Sequence, residues 1–378
     1  MGSPRHGHEA DSMSARSRQN PERLRESDFA AMPESSLEAG FRTNSTAALP
    51  TAHAVDDLDQ RIAVALQVNP RAQWRQIAAM VGTSESTARR HAERMLQTGL
   101  LHSTVTADAL TPGFPVLVQF TCDLHRVTEV ANRLADRPDV RYLSLVTGRF
   151  DVVAEVVVPS RDELARIILA EFPTIPGISH TTTETVLHNF KTSYDWGRDL
   201  LGDEVETIPD LPSFPSPTAR QFTFDSVDLQ LIQQLKRNGR MSYADLANQC
   251  SISEPMARRR VEALLTSGGV RAVTFVNPSI LGYEVELLVW LRVDFSRLEQ
   301  IAAALAERRE VRYLSATSGF SDLVCEIILP SHGHLYTFFT TVLGTLPGIL
   351  QADTATELAT IKRGFMRIDT APIPKCES

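Results

Sequence analysis

The chain has 378 residues, 43% of them hydrophobic, which is long for one compact domain and apolar enough to fill more than one core. A net charge of -8 excludes a protein that coats nucleic acid by bulk charge, while leaving room for a basic face on an acidic body. No run reaches the apolar length of a membrane span, and the first residues lack the apolar stretch of a secretory signal, so a cytoplasmic protein with no membrane contact is expected.

In chain order, residues 1–54 are rich in Ser, Arg, Glu and Pro without apolar periodicity and read as a disordered tail. Residues 55–104 are predicted to be three short helices. Ser84 opens the third, in which Ala88, Ala92, Met95 and Leu96 recur at i, i+4, i+7 and i+8 and form one buried stripe. At about 100° per residue, Arg90 lies roughly 200° from Ala88, with Ser86 beside it and Arg89 and Arg94 on the flanks, so the basic residues are expected to face outward. From 111 to 192 the period changes. Apolar, β-branched runs such as "PVLVQFTC", "VRYLSLV" and "DVVAEVVV" alternate with helical segments in the order βαββαβ, the ferredoxin-like arrangement. Residues 193–223 are a Pro-rich linker, 224–274 and 280–366 return to the same two patterns, and 367–378 form a tail. The fold class is therefore α+β, in two tandem units.

The return is a duplication. "DDLDQRIAVALQVNPRAQWRQIAAMVGTSESTARRHAERMLQTGLL" aligns without a gap on "DSVDLQLIQQLKRNGRMSYADLANQCSISEPMARRRVEALLTSGGV", an offset of 169 positions from Asp56 to Asp225. "VRYLSLVTGRFDVVAEVVVPS" matches "VRYLSATSGFSDLVCEIILPS" at an offset of 171, from Val140 to Val311.

A capped, Arg-bearing third helix is the plan of a helix-turn-helix, whose last helix enters the major groove by its N-terminal end. Arg there either holds phosphate or forks onto guanine, and free N–H groups at a helix start suit phosphate. A run of arginines is ordinarily a solvated face. Recurrence of Ala-Arg-Arg at the same helical phase in both copies favours double-stranded DNA as the partner. Over 225–275, seven Lys and Arg oppose five Asp and Glu, a local excess of +2 in an acidic chain. The candidate DNA-binding residues are Ser84, Ser86, Thr87, Arg89, Arg90 and Arg94, and Ser253, Pro255, Met256, Arg258, Arg259 and Arg260. The copies differ at Ser86, Thr87 and His91 against Pro255, Met256 and Arg260, which predicts an imperfectly palindromic operator. In the second halves, Gly148 to Asp151 and Gly319 to Asp322 form Gly-x-x-Asp loops. Such residues make ordinary hairpins, and an Asp at the start of a strand is also placed to accept hydrogen bonds from a ligand amine.

With its "D-x-x-D" first helix, Ser-led recognition helix and Gly-x-x-Asp loop, each unit resembles the Lrp/AsnC, or feast/famine, family of transcription regulators. The resemblance spans about 55–192 and 224–366 and includes "AVTFVNPSILGY" as the connecting strand. It implies a winged or helix-turn-helix domain followed by a RAM/AsnC-type ligand-binding and dimerisation domain in each unit. It also implies homo-oligomers (dimers or tetramers of pseudo-dimeric chains) and a small-molecule effector, an amino acid, at Gly148, Phe150, Asp151, Gly319 and Asp322. The family's aromatic before the Asp is kept as Phe150, whereas copy two has Ser321 there. Four scattered cysteines (Cys122, Cys250, Cys325, Cys376) suggest neither zinc nor a disulfide framework, and no cofactor, metal or catalytic residue is expected. The enzyme alternative is a siroheme decarboxylase, also built from Lrp-like units. It would need His or Arg groups to converge on the carboxylates of a tetrapyrrole; His125, His180, His188, His332 and His334 are available, and none of these recurs in the other copy.

Overall fold

The computed structural model describes residues 55–106, 113–194, 196–197 and 223–368. The expected N-terminal tail, most of the expected linker, and the C-terminal residues from 369, Cys376 among them, lie outside the described residues.

The first unit opens with α1 (Asp57–Val68), α2 (Trp74–Val81) and α3 (Glu85–Gln97), followed by strand β1 (Leu101–Thr106). The repeated Asp-x-x-Asp is a reciprocal cap: Asp56 accepts from the Asp59 N–H, and the Asp59 carboxylate accepts from the Asp56 N–H. Ile62, Leu66, Ile77, Ala88, Ala92 and Met95 close the core of the three helices, as the helical period predicts. The same construction recurs in α6 (Ser226–Arg237), capped by Asp225 and Asp228, α7 (Tyr243–Cys250) and α8 (Glu254–Ser267), followed by β6 (Arg271–Val276). β1 and β6 pair antiparallel along their whole length, from Leu101 opposite Val276 to Thr106 opposite Arg271. The strand behind each third helix is thus half of a ribbon shared by the two copies.

Behind the ribbon, the first copy continues as β2 (Phe114–Cys122), α4 (Val127–Ala135), β3 (Val140–Val146), β4 (Val152–Val158), α5 (Arg161–Arg166) and β5 (Ile178–Lys191). The second follows with β7 (Val285–Val293), α9 (Leu298–Ala306), β8 (Val311–Ser318), β9 (Leu323–Leu329), α10 (Gly333–Thr341) and β10 (Ile349–Arg363). Within each copy the strand order is ferredoxin-like, β3-β4-β2-β5 and β8-β9-β7-β10. The two sheets then join at both edges. β5 pairs with β8 and β10 pairs with β3, so eight strands close into a ring with no free edge. The helices pack on the outer faces of the two sheets, against clusters that include Val130, Leu134 and Phe172 in one copy and Ile301, Leu305 and Phe338 in the other. A fifth apolar cluster, with Leu117, Val153, Leu288, Trp290 and Val324, fills the space between the sheets.

The pairing register shows that the copies are related by a pseudo-two-fold axis. Val186 opposite Thr317 in one seam corresponds, at the offset of 171, to Glu357 opposite Val146 in the other. Cys122, Cys250 and Cys325 are buried free thiols.

Candidate nucleic-acid interface

Each third helix is held by the first helix of its own copy. In copy one the buried Asp59 carboxylate takes His91 Nδ1 at 2.8 Å and an ion pair from Arg94. Burial pushes Asp59 up, but the hydrogen bonds from Arg94, His91 and the Asp56 N–H outweigh it and hold the carboxyl below its ordinary range. In copy two Arg260, at the position of His91, bridges Asp225 and Asp228 at 2.7 and 2.8 Å. The outward orientation expected of the basic residues therefore does not extend to Arg94 and Arg260, which are half-buried anchors between the third helix and the first. The 3.6-residue period places them at the edge of the buried stripe, where a long side chain reaches an acid on the neighbouring helix.

The remaining candidates sit at the exposed N-terminal ends of α3 and α8. Ser84 accepts from the Thr87 N–H at 3.2 Å and so caps α3, whereas Ser253 makes no such side-chain cap and Pro255 takes the first turn of α8 instead. Ser86, Arg89, Arg90, Pro255, Arg258 and Arg259 are exposed, and Thr87 and Met256 are half-buried. Arg89 pairs with Glu93 at 2.7 Å, and Arg258 lies 4.5 Å above the Tyr243 ring. Arg90 and Arg259, equivalent at the offset of 169, are committed to no acid among the described residues and face outward from both helices.

A device that sequence reasoning missed sets the two helices relative to each other. Arg71 donates to the carbonyls of Gly239 and Met241, and its counterpart Arg240 donates to those of Pro70 (2.5 Å) and Ala72 (2.8 Å). Each guanidinium also covers the aromatic that opens the other copy's second helix: Arg240 lies 4.1 Å above Trp74, and Arg71 lies 5.3 Å above Tyr243. Burial, with Arg71 close by, brings Arg240 down to about 10. The signal was present, since Arg71 with Trp74 aligns on Arg240 with Tyr243, but an alignment does not say that equivalent residues meet across an axis.

The Gly-x-x-Asp loops lie at the rims of the two sheets. Gly148 (φ +107) and Gly319 (φ +138) adopt a backbone conformation that only glycine takes freely. Asp151 Oδ2 accepts from the Cys122 N–H at 2.7 Å and Asp322 Oδ2 from the Val293 N–H at 2.8 Å, so each Asp ties its loop to the first strand of its own sheet. Phe150 is buried, packed edge-on to Trp290 at 5.9 Å. Two cavities lie further in. One of about 90 Å³ between the sheets is lined by Tyr142, Tyr313, Leu117 and Leu288, and one of about 190 Å³ toward the ribbon is lined by His102, Trp196 and Phe275. Buried ion pairs flank them, Arg141 with Glu155 and its counterpart Arg312 with Glu326, to which copy two adds Arg363. The five histidines weighed for tetrapyrrole chemistry are exposed and line neither cavity.

Residues 55–96 and 224–265 match the AsnC-type helix-turn-helix domain, and residues 115–196 and 286–366 match the Lrp/AsnC ligand binding domain. The HTH-type transcriptional regulator Ptr1 of Methanocaldococcus jannaschii is 30% identical over 141 residues, 37% of this chain and 95% of that protein. The chain belongs to the Lrp/AsnC family. An uncharacterised HTH-type transcriptional regulator of Pyrococcus furiosus is 28% identical over 145 residues, 38% of this chain and 98% of that protein. Each of these Lrp/AsnC relatives thus corresponds to a single unit, and this chain carries two. Among solved structures, the siroheme decarboxylase NirDL superposes with a TM-score of 0.54 at 13% identity, over 82% of this chain and 93% of that one. That likeness is one of fold, and it extends over both Lrp/AsnC units. No helix among the described residues is long and apolar enough to cross a membrane.

Proposed function

We propose that this Lrp/AsnC chain is a sequence-specific, DNA-binding transcriptional regulator and not an enzyme, reading an imperfect palindrome with α3 and α8. The observation that carries the reading is that Arg90 and Arg259 occupy equivalent, exposed places in the second turns of two helices linked by the Arg71 and Arg240 exchange. Around them, Ser84, Ser86, Thr87 and Arg89 face one half-site, and Ser253, Pro255, Met256 and Arg258 the other. Arg94 and Arg260 act by holding those helices. A small molecule, an amino acid, modulates binding at the Gly-x-x-Asp loops, through Gly148, Phe150 and Asp151 in copy one and Gly319 and Asp322 in copy two. The chain works as a homo-oligomer.

Fluorescence anisotropy tests this with the DNA upstream of the protein's own gene against a scrambled duplex, at two salt concentrations. The expected result is a clear preference whose affinity falls steeply with salt. Arg90→Ala and Arg259→Ala should each weaken specific binding by about 1–3 kcal/mol while leaving the fold intact, because both side chains are exposed. Unchanged affinity in the double variant sinks the assignment. NirDL has also been solved with an iron-uroporphyrin III analogue, which supplies a control: addition of siroheme should leave no tetrapyrrole absorbance band with the purified protein.

A further inference from the structure

The pseudo-two-fold axis turns each feature of one copy into a test of the other, and around the Gly-x-x-Asp loops the copies fail to match in a coordinated way. At the offset of 171, Phe150 corresponds to Ser321, Gln119 to Trp290, Glu184 to Ala355 and Arg149 to Phe320. Each loop lies on the other copy's last strand. A side-chain carbon added at Gly148 would stand 3.2 Å from the Thr354 carbonyl oxygen on β10, and one at Gly319 would stand 3.3 Å from Glu184 Cγ on β5.

In the first loop Phe150 packs with Trp290 and Ala355 of copy two in one apolar cluster, and Arg149 of the same loop lies 5.6 Å above the Phe150 ring. In the second loop Ser321 meets polar neighbours. Glu184 is 0% exposed, and its carboxylate accepts from the Ser321 N–H at 2.6 Å, from Ser321 Oγ at 2.8 Å and from Gln119 Nε2 at 2.6 Å. Where the loops meet, Arg149 lies 4.5 Å above the Phe320 ring, so equivalent positions face each other as cation and aromatic.

We infer that this interface accepts only the first half against the second and rejects like-with-like pairing, at the Phe150 and Ser321 places for either half and at the Arg149 place for two first halves, so that the partner surface of each half fits the other half and not a second copy of itself. Two first halves would bring Phe150 onto Glu184 and Gln119, burying a carboxylate stripped of the Ser321 donors, and would set Arg149 against Arg149. Two second halves would bring Ser321 onto Trp290 and Ala355, burying a hydroxyl and an N–H without the Glu184 acceptor. Either mispairing leaves polar groups buried without partners or like charges opposed. Equivalent halves of an unduplicated protein have no means of doing this, because one surface must fit itself. Assembly between chains then has to use surfaces other than this one, or exchange whole halves crosswise.

The full chain, folded and then cleaved at a protease site inserted between residues 203 and 215, tests the inference. The cleaved protein is unfolded, refolded, and its pairs weighed by native mass spectrometry. Pairs of unlike halves should outnumber like pairs by about tenfold or more, where chance alone makes the two equal, and a statistical mixture of three pairs would overturn the inference. The uncleaved chain gives a second reading that does not need the halves to refold apart. Phe150→Ser should lower the urea midpoint, and adding Trp290→Gln and Ala355→Glu, which supply the polar set seen at the other loop, should raise it again. Three strictly additive losses would show that the sets are not matched, and would equally overturn the inference.

Discussion

Arg240 shows how much one side chain carries when it crosses a pseudo-symmetry axis. It sits in the position that Arg71 holds in the other copy, satisfies the carbonyls of Pro70 and Ala72, and covers Trp74. Arg240→Ala should cost about 3 kcal/mol in urea denaturation, from two charge-assisted hydrogen bonds and a desolvated cation–π contact. Arg240→Lys should recover little of it, since an ammonium cannot fork onto two carbonyls while lying flat on an indole. Asp59 makes a related point about pH. Its carboxyl is held below the ordinary range in the folded state, so the stability it contributes is present above the unfolded value and is lost as pH falls through the folded one. Asp59→Asn should therefore flatten the acid limb of the stability profile, measured by thermal unfolding between about pH 2 and 5.

At the scale of elements, the helix-turn-helix pairs fold alike from unlike residues. Gly82 ends α2 in the left-handed conformation at φ 68°, as a glycine does without strain. Its counterpart Ser251 ends α7 at φ 54°. A serine there stores backbone strain, so Ser251→Gly should stabilise the protein by about 0.5–1 kcal/mol, and Gly82→Ser should destabilise it by a similar amount. An added side chain at Gly82 meets no atom within 4 Å, so the comparison isolates the backbone. Differential scanning calorimetry of both variants checks it, and equal and opposite shifts are the expected result.

Across the whole molecule, closing two sheets into one ring brings charges from both copies into a shared interior. Burial, with Glu326 and Glu286 nearby, raises Glu357 to about 8, and Tyr142 from the other copy donates to it at 2.6 Å. Arg363 and Arg312 work against that rise without cancelling it. A carboxyl raised on folding binds a proton that the unfolded chain has already lost, so stability should fall as pH climbs from about 4.5 to about 8. Lys362, lowered to about 8 by burial, acts in the next window, where the unfolded chain holds the extra proton and stability should rise again toward about 10.5. Glu357→Gln should remove the fall below pH 8 and leave the rise above it, as measured by urea midpoints across the range. A fall that persists unchanged in this variant would place its origin elsewhere.

The sequence by itself determined what local periodicity and self-comparison can reach. The duplication was legible in two ungapped alignments, the helices in the spacing of Ala88, Ala92 and Met95, and the ferredoxin-like order in the alternation of β-branched and helical runs. Family membership followed from the same residues, because Asp-x-x-Asp caps and Gly-x-x-Asp turns are local chemistry. Tertiary structure alone decided which basic residues stay outward. Arg94 and Arg260 carry the same charge as Arg90 and Arg259, but they lie within reach of Asp59 and Asp228, acids more than thirty positions away in the chain. It also decided that the sheets close on each other, and that Arg71 answers Arg240, Phe150 answers Trp290 and Ser321 answers Glu184. Periodicity reports which face of an element is buried, but not which distant element covers it, and in a duplicated chain the covering element belongs to the other copy.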